Sequence, residues 1–113
     1  MAKFAVLMRE NDNAWEKLPA DEQKRLLKLY YAWTEELKEK GRMVGGEPLG
    51  PGGRMLRALD GEVVDGPFTE TKEVLTGFSL IEAANLDEAA EVARGCPALT
   101  HGESVELRPV GHV

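Results

Sequence analysis

Apolar residues alternate at the start of the chain. Phe4, Val6 and Met8 point one way and Ala5 and Leu7 the other, the two-residue period of a strand. Both sets are apolar, which predicts a central strand over Lys3–Arg9, covered on both faces. A polar connection follows from Glu10 to Leu18, in which Asn13 and Glu16 suit a capped turn and Trp15 and Leu18 anchor it. From Pro19 the period becomes helical. Leu26, Tyr30, Trp33 and Leu37 form one stripe, widened by Leu27 and Thr34. Pro19 suits the first helical position, and Asp21 and Glu22 complement the positive end of the dipole. Lys38, Lys40 and Gly41 close the helix.

A short strand is expected over Arg42–Gly46, and the composition of Glu47–Gly53 predicts a loop, in the position of a lid over a neighbouring pocket. The glycines are no phosphate cradle, since neither a Gly-Lys-Ser/Thr ending nor a helix start follows. Asp60-Gly61 between two alternating runs is a hairpin turn, because both turn positions favour positive φ. Its register sets Leu59 against Glu62, Arg57 against Val64 and Leu56 against Asp65, so that Arg54 lies diagonally across from Asp65 on the same face.

The longest strand candidate is Val74–Ala84. Thr76, Phe78 and Leu80 are expected on one face and Leu75, Ser79 and Ile81 on the other, with Gly77 marking a bulge or a close backbone approach. Asn85 and Glu88 form the capping pair of a second helix with a narrow face of Leu86, Ala89, Ala90 and Ala93, stopped by Gly95 and Pro97. His101 falls in a loop, and Ser104–Arg108 alternates as a last strand with Val105 and Leu107 inward.

The element order is strand, helix, strand, hairpin, long strand, helix, strand. It predicts an α+β fold: a ferredoxin-like sandwich with an antiparallel sheet and two helices on one face. At 113 residues there is room for one domain spanning 1–113 and one small core. Helices on one face leave apolar side chains on the other, which a second copy would cover. A homodimer packed through its sheets, of the dimeric α/β barrel type, is therefore expected.

A net charge of −6 argues against nucleic acid and against anionic membranes as partners. No apolar run reaches the length of a membrane span, and no signal-peptide pattern opens the sequence. The single Cys96 permits no internal disulfide, and it lies at the wrong end of a helix for a nucleophile. These features fit a cytoplasmic protein.

The densest chemistry is Asp65-Gly66-Pro67-Phe68-Thr69-Glu70-Thr71-Lys72-Glu73: a tight turn, an aromatic, two hydroxyls and four ionisable side chains between apolar strands. Asp65 is the candidate catalytic residue, either pinning the turn through backbone N–H groups or lining a pocket as a general base. Arg54, Gly66, Phe68, Thr69, Glu70, Lys72 and Glu73 are candidate ligand-binding residues, with Arg54 placed to hold an anion. Glu70 and Glu73 lie three apart, close enough to raise one carboxyl pKa. No histidine stands at metal-ligand spacing, so neither a metal nor another cofactor is expected.

This nine-residue segment, the following Val-Leu-Thr-Gly-Phe-Ser-Leu-Ile-Glu-Ala and the closing Ser-Val-Glu-Leu-Arg-Pro-Val resemble the DGPF domain of the YCII-related proteins, over nearly the whole chain. The resemblance implies a ferredoxin-like fold, dimerisation through the sheets and a bacterial cytoplasmic setting. It also implies a link, in some relatives, to sigma factors of the extracytoplasmic-function type. Some relatives are suspected enzymes with a His–Asp pair in a pocket. Asp65 supplies the acid here, but the opening strand and first helix hold no histidine, and His101 and His112 lie near the end. Three functions follow as expectations. The first is a dimeric small-molecule-binding protein, regulatory in role, with a pocket near Asp65–Glu73. The second is a small acid–base enzyme catalysing elimination or hydrolysis with Asp65 as base. The third is a partner-binding module acting on a sigma factor.

Overall fold

The computed structural model describes residues 1–11, 14–66 and 74–111, and the backbone alone of Glu73. Among the described residues there are six strands: β1 (Ala2–Asn11), β2 (Met43–Pro48), β3 (Met55–Leu59), β4 (Glu62–Gly66), β5 (Glu73–Ala83) and β6 (Ser104–Pro109). Two α-helices, α1 (Ala20–Glu39) and α2 (Leu86–Ala93), and a short 3-10 turn over Pro97–Thr100 connect them. Strands β2, β5, β1 and β6 form one antiparallel sheet in that order, the ferredoxin-like arrangement, while β3 and β4 form a separate two-stranded pair.

Alternation builds the core. Phe4 lies opposite Ile81, Val6 opposite Ser79 and Leu107, and Met8 opposite Gly77 and Val105, so one sheet face carries the buried set. Leu37 and Trp33 of α1 and Ala89 of α2 cover it, joined by Cys96 and Ala98 of the following turn. Alanines on α2 let that helix lie close to the sheet. The opposite face carries Ala5 beside Leu80 and Leu7 beside Phe78.

Local signals account for the ends of the elements. Asn85 Oδ1 accepts the Glu88 N–H at 2.9 Å, the expected cap, and Glu88 is further held by Arg42. Asp60 and Gly61 take φ of 50° and 83°, and the hairpin register is the one expected.

Four details differ from expectation. Pro19 is the residue before the helix, extended at ψ 152°, rather than its first residue. Strand β2 runs on to Pro48, because an edge strand tolerates proline and Pro48 pairs with Gly77. Leu86 opens α2 and is exposed instead of joining Ala89 and Ala93. Thr76 is skipped between Met8–Gly77 and Arg9–Leu75, so a bulge breaks the alternation and releases its hydroxyl from the Phe78–Leu80 row.

The hairpin stands apart. Every residue of β3 is exposed, as are Glu62–Asp65 of β4. The radius of gyration is 15.9 Å, against about 13 Å for a compact chain of this length.

Candidate functional site

A cavity of about 530 Å³ lies between α1 and the sheet. The sequence creates it by omission. Gly45, Gly46 and Gly77 line it, so β2 and β5 present bare backbone beneath the helix. A Cβ on Gly46 would lie 2.8 Å from Ser79 Cα, which shows how closely the two strands approach. Met8, Met43, Leu27 and Leu49 make the walls apolar, and Trp15 and Tyr30 add aromatic surface.

Two carboxylates enter this apolar space. Glu10 and Glu103 both line the cavity, and each is only 8% exposed. Glu10 extends the inward row of Phe4, Val6 and Met8, and its Oε2 accepts the backbone N–H of Trp15 at 2.8 Å. Glu103 precedes β6 in phase with inward Val105 and Leu107. Arg9 pairs with Ser104, so one further step of the same register brings Glu10 beside Glu103. Like charges at neighbouring cross-strand positions repel.

Glu103 is also the centre of a buried network. Thr76 Oγ1 donates to its Oε1 at 2.6 Å, which the bulge at Thr76 makes possible. His101 Nε2 lies 3.3 Å from its Oε2 and 2.8 Å from the Tyr30 hydroxyl. The side chains of His101 and Glu103 are almost fully buried, and Trp15 and Tyr30 meet the imidazole edge-on with centroids 5.9 Å away. Burial raises the Glu103 pKa above the usual carboxylate value, and nearby Glu10 raises it further; the Thr76 hydrogen bond and His101 oppose the rise. Burial likewise raises the Tyr30 phenol. The site thus holds a carboxyl biased towards its protonated form, linked through an imidazole to a phenol, with all but the imidazole facing the cavity.

Gly102 makes the arrangement possible. Its φ of 85° turns the chain between His101 and Glu103, while the backbone N–H groups of both reach Ala98 O. Gly102→Ala is expected to cost about 1–2 kcal/mol, the penalty of a left-handed L-residue. Urea unfolding measures the loss.

Of the residues singled out in the sequence, Arg54, Asp65 and Gly66 lie outside this cavity. Arg54 Nη1 donates to Asp65 Oδ2 at 3.0 Å, as the diagonal register implied, but the pair sits on the exposed hairpin with side chains 80% and 50% accessible. Exposed pairs of this kind contribute little to stability. Neither residue lines the cavity, nor does Gly66. Phe68, Thr69, Glu70 and Lys72, together with the side chain of Glu73, are outside the described residues. The segment nonetheless leads into β5, whose Thr76–Ser79 border the cavity.

Glu10, Tyr30, Thr76, His101 and Glu103 form the site that sequence reasoning passed over. For the two carboxylates a signal existed: each continues an inward alternating row. Cys96 is buried, and burial pushes its thiol up to about 11, in keeping with an inert residue. Among the described residues, no group of three or more His, Cys, Asp or Glu is arranged to hold a metal ion, and no helix is long and apolar enough to cross a membrane.

The family model of the YCII-related domain matches residues 2–111. The chain belongs to the YCII-related family. It is 36% identical over 118 residues to an uncharacterised protein of Rhizobium meliloti (strain 1021), with 95% of this chain and 90% of that one covered. Among solved structures it is similar to 5-chloro-2-hydroxyhydroquinone dehydrochlorinase from Burkholderia phenoliruptrix AC1100, in complex with 2,5-dihydroxybenzoquinone. There the TM-score is 0.57 at 18% identity, over 98% of this YCII-related chain and 95% of the other. That likeness establishes a shared fold.

Proposed function

We propose that this YCII-related protein is a small enzyme that binds a small molecule in the cavity between α1 and the sheet and moves a proton on it. One observation carries the reading: two buried carboxylates line an apolar cavity, and one of them is joined by His101 to Tyr30. Buried ionisable groups cost stability and are concentrated where chemistry uses them. Glu103, biased towards its protonated form, serves as general acid or base; Glu10 serves as the charged partner; His101, whose Nε2 faces both Glu103 and the Tyr30 hydroxyl, orients the Glu103 carboxyl. An elimination suits such a set, and a dehydrochlorinase with the same fold supports that reaction class.

The Asp65–Glu73 segment stays in the reading because it runs in sequence into β5, whose Thr76–Ser79 border the cavity, with Asp65 and Arg54 as secondary candidates. The protein acts as a cytoplasmic homodimer, its apolar outer sheet face covered by a second copy. A regulatory binding role without turnover is the second reading, favoured by the large apolar share of the walls. The sigma-factor link rests on family resemblance alone.

The test is turnover of a panel of small carbonyl and halogenated ring compounds, each with and without an amine group, followed by NMR in deuterated water. Wild type is expected to exchange or eliminate from at least one member. Glu103→Gln should be slower by about 10²-fold or more with an unchanged fold by circular dichroism. Ligand-induced thermal stabilisation without turnover would favour the regulatory reading. Neither stabilisation nor turnover across the panel would refute both.

A further inference from the structure

We infer that the cavity selects a protonated amine with a compact apolar body, and that Glu10 is the carboxylate that holds its ammonium group. The inference rests on the proposed function and names its substrate class. The charges at the cavity are one-sided. Glu10 and Glu103 line its buried part, and Glu16 and Glu47 also border it. Lys38 is the one basic residue among the described lining, and it lies on exposed α1 with Nζ 3.4 Å from Glu35. With Lys38 paired to Glu35, the charge of the described lining is net acidic, the wrong sign to attract an anion.

Glu10 is the less compensated of the two buried carboxylates. It is more than nine-tenths buried, and among the described residues its one hydrogen-bond donor is the backbone N–H of Trp15, to Oε2. Glu103, by contrast, has Thr76 and His101 on its two oxygens. A buried carboxylate on an apolar wall is costly unless a cation meets it. An ammonium group supplies that charge and up to three donors. Trp15 and Tyr30 beside it present aromatic surface that attracts cations. The methionine and leucine walls take the apolar body. In this arrangement Glu10 anchors the ligand, leaving Glu103 free to exchange a proton.

Three probes with the same ring separate the possibilities: benzylammonium, benzyl alcohol and benzoate, each titrated at pH 7 by calorimetry and thermal shift. Benzylammonium is expected to bind at least about tenfold more tightly than benzyl alcohol, with benzoate giving no shift. Glu10→Gln should abolish the preference for the amine while leaving the affinity for the alcohol. Should that variant fail to fold, wild type supplies the same test: lowering the pH to protonate the carboxylates must remove the preference. Equal or tighter binding of benzoate or the alcohol overturns the amine inference and leaves the cavity reading standing. A preference that survives Glu10→Gln or acidification overturns it too. No binding of any probe up to about 10 mM would overturn both.

Discussion

Leu80→Asp is expected to turn the proposed dimer into a monomer, halving the apparent mass in light scattering at micromolar concentration. The argument begins with alternation. Leu80 lies opposite Ala5, and Phe78 opposite Leu7, on the sheet face turned away from both helices. Arg108 and Glu106 extend those rows on β6, so an apolar centre has charged neighbours. This is the composition of a protein interface, with an apolar core and a polar rim. A two-layer sandwich has no third layer to cover it. A stable interface buries about 800 Å² per partner, and an isolated two-stranded hairpin is at best marginally stable in water. The β3–β4 hairpin exposes Leu56 at 64% and Val63 at 76%, so it adds apolar surface that a second copy can cover. An aspartate at Leu80 would place an unpaired carboxylate at the centre of the contact and weaken dimerisation by about 10³-fold or more. The monomer should keep its helical circular dichroism, because Leu80 points away from the core. A wild-type chain that is monomeric at high concentration would contradict the model of a sheet-packed dimer.

What the sequence made legible was governed by period. β1, α1, the hairpin and β6 are recognisable from one-residue alternation, a helical stripe or a two-residue turn, and each involves residues near one another in the chain. The cap at Asn85 is equally local. The cavity network is non-local: Tyr30 meets His101 across 71 positions, and Thr76 meets Glu103 across 27. The bulge at Thr76 also breaks the rule that assigns faces to β5, and no pattern within that strand says which hydroxyl is released. Glu10 and Glu103 were nevertheless in phase with buried rows. A carboxylate continuing an inward row is a stronger pointer to a site than a dense polar segment, because the buried position must be compensated and the exposed one need not be. The Asp65–Arg54 pair illustrates the difference. Its geometry followed from the hairpin register, but its exposure did not, since register says nothing about what packs against a hairpin.

Glu103→Gln should make the ligand-free protein more stable at pH 8 and leave it nearly unchanged at pH 4. In the folded protein, burial, reinforced by Glu10, holds the Glu103 pKa above its ordinary value of 4.5. A carboxyl whose pKa is raised by folding binds its proton more tightly in the native state. Its favourable contribution is therefore complete below about pH 4.5 and is lost as pH rises through the folded pKa. Each tenfold difference in proton affinity between the two states is worth about 1.4 kcal/mol. Glutamine keeps the shape and a donor for the network but carries no charge at any pH, so it removes this loss. Two other carboxylates act in the opposite sense: Arg25 lowers the pKa of Glu22, and Arg42 lowers that of Glu88. They make wild type less stable as pH falls, but they are common to both proteins and cancel in the difference between them. Urea midpoints of wild type and Glu103→Gln from pH 4 to 8 should thus diverge above pH 4.5 and level off once the folded-state pKa is passed, with the variant ahead. Parallel curves would mean that Glu103 ionises as freely in the fold as in water, and the proton proposed to reside on it at rest would have to be placed elsewhere.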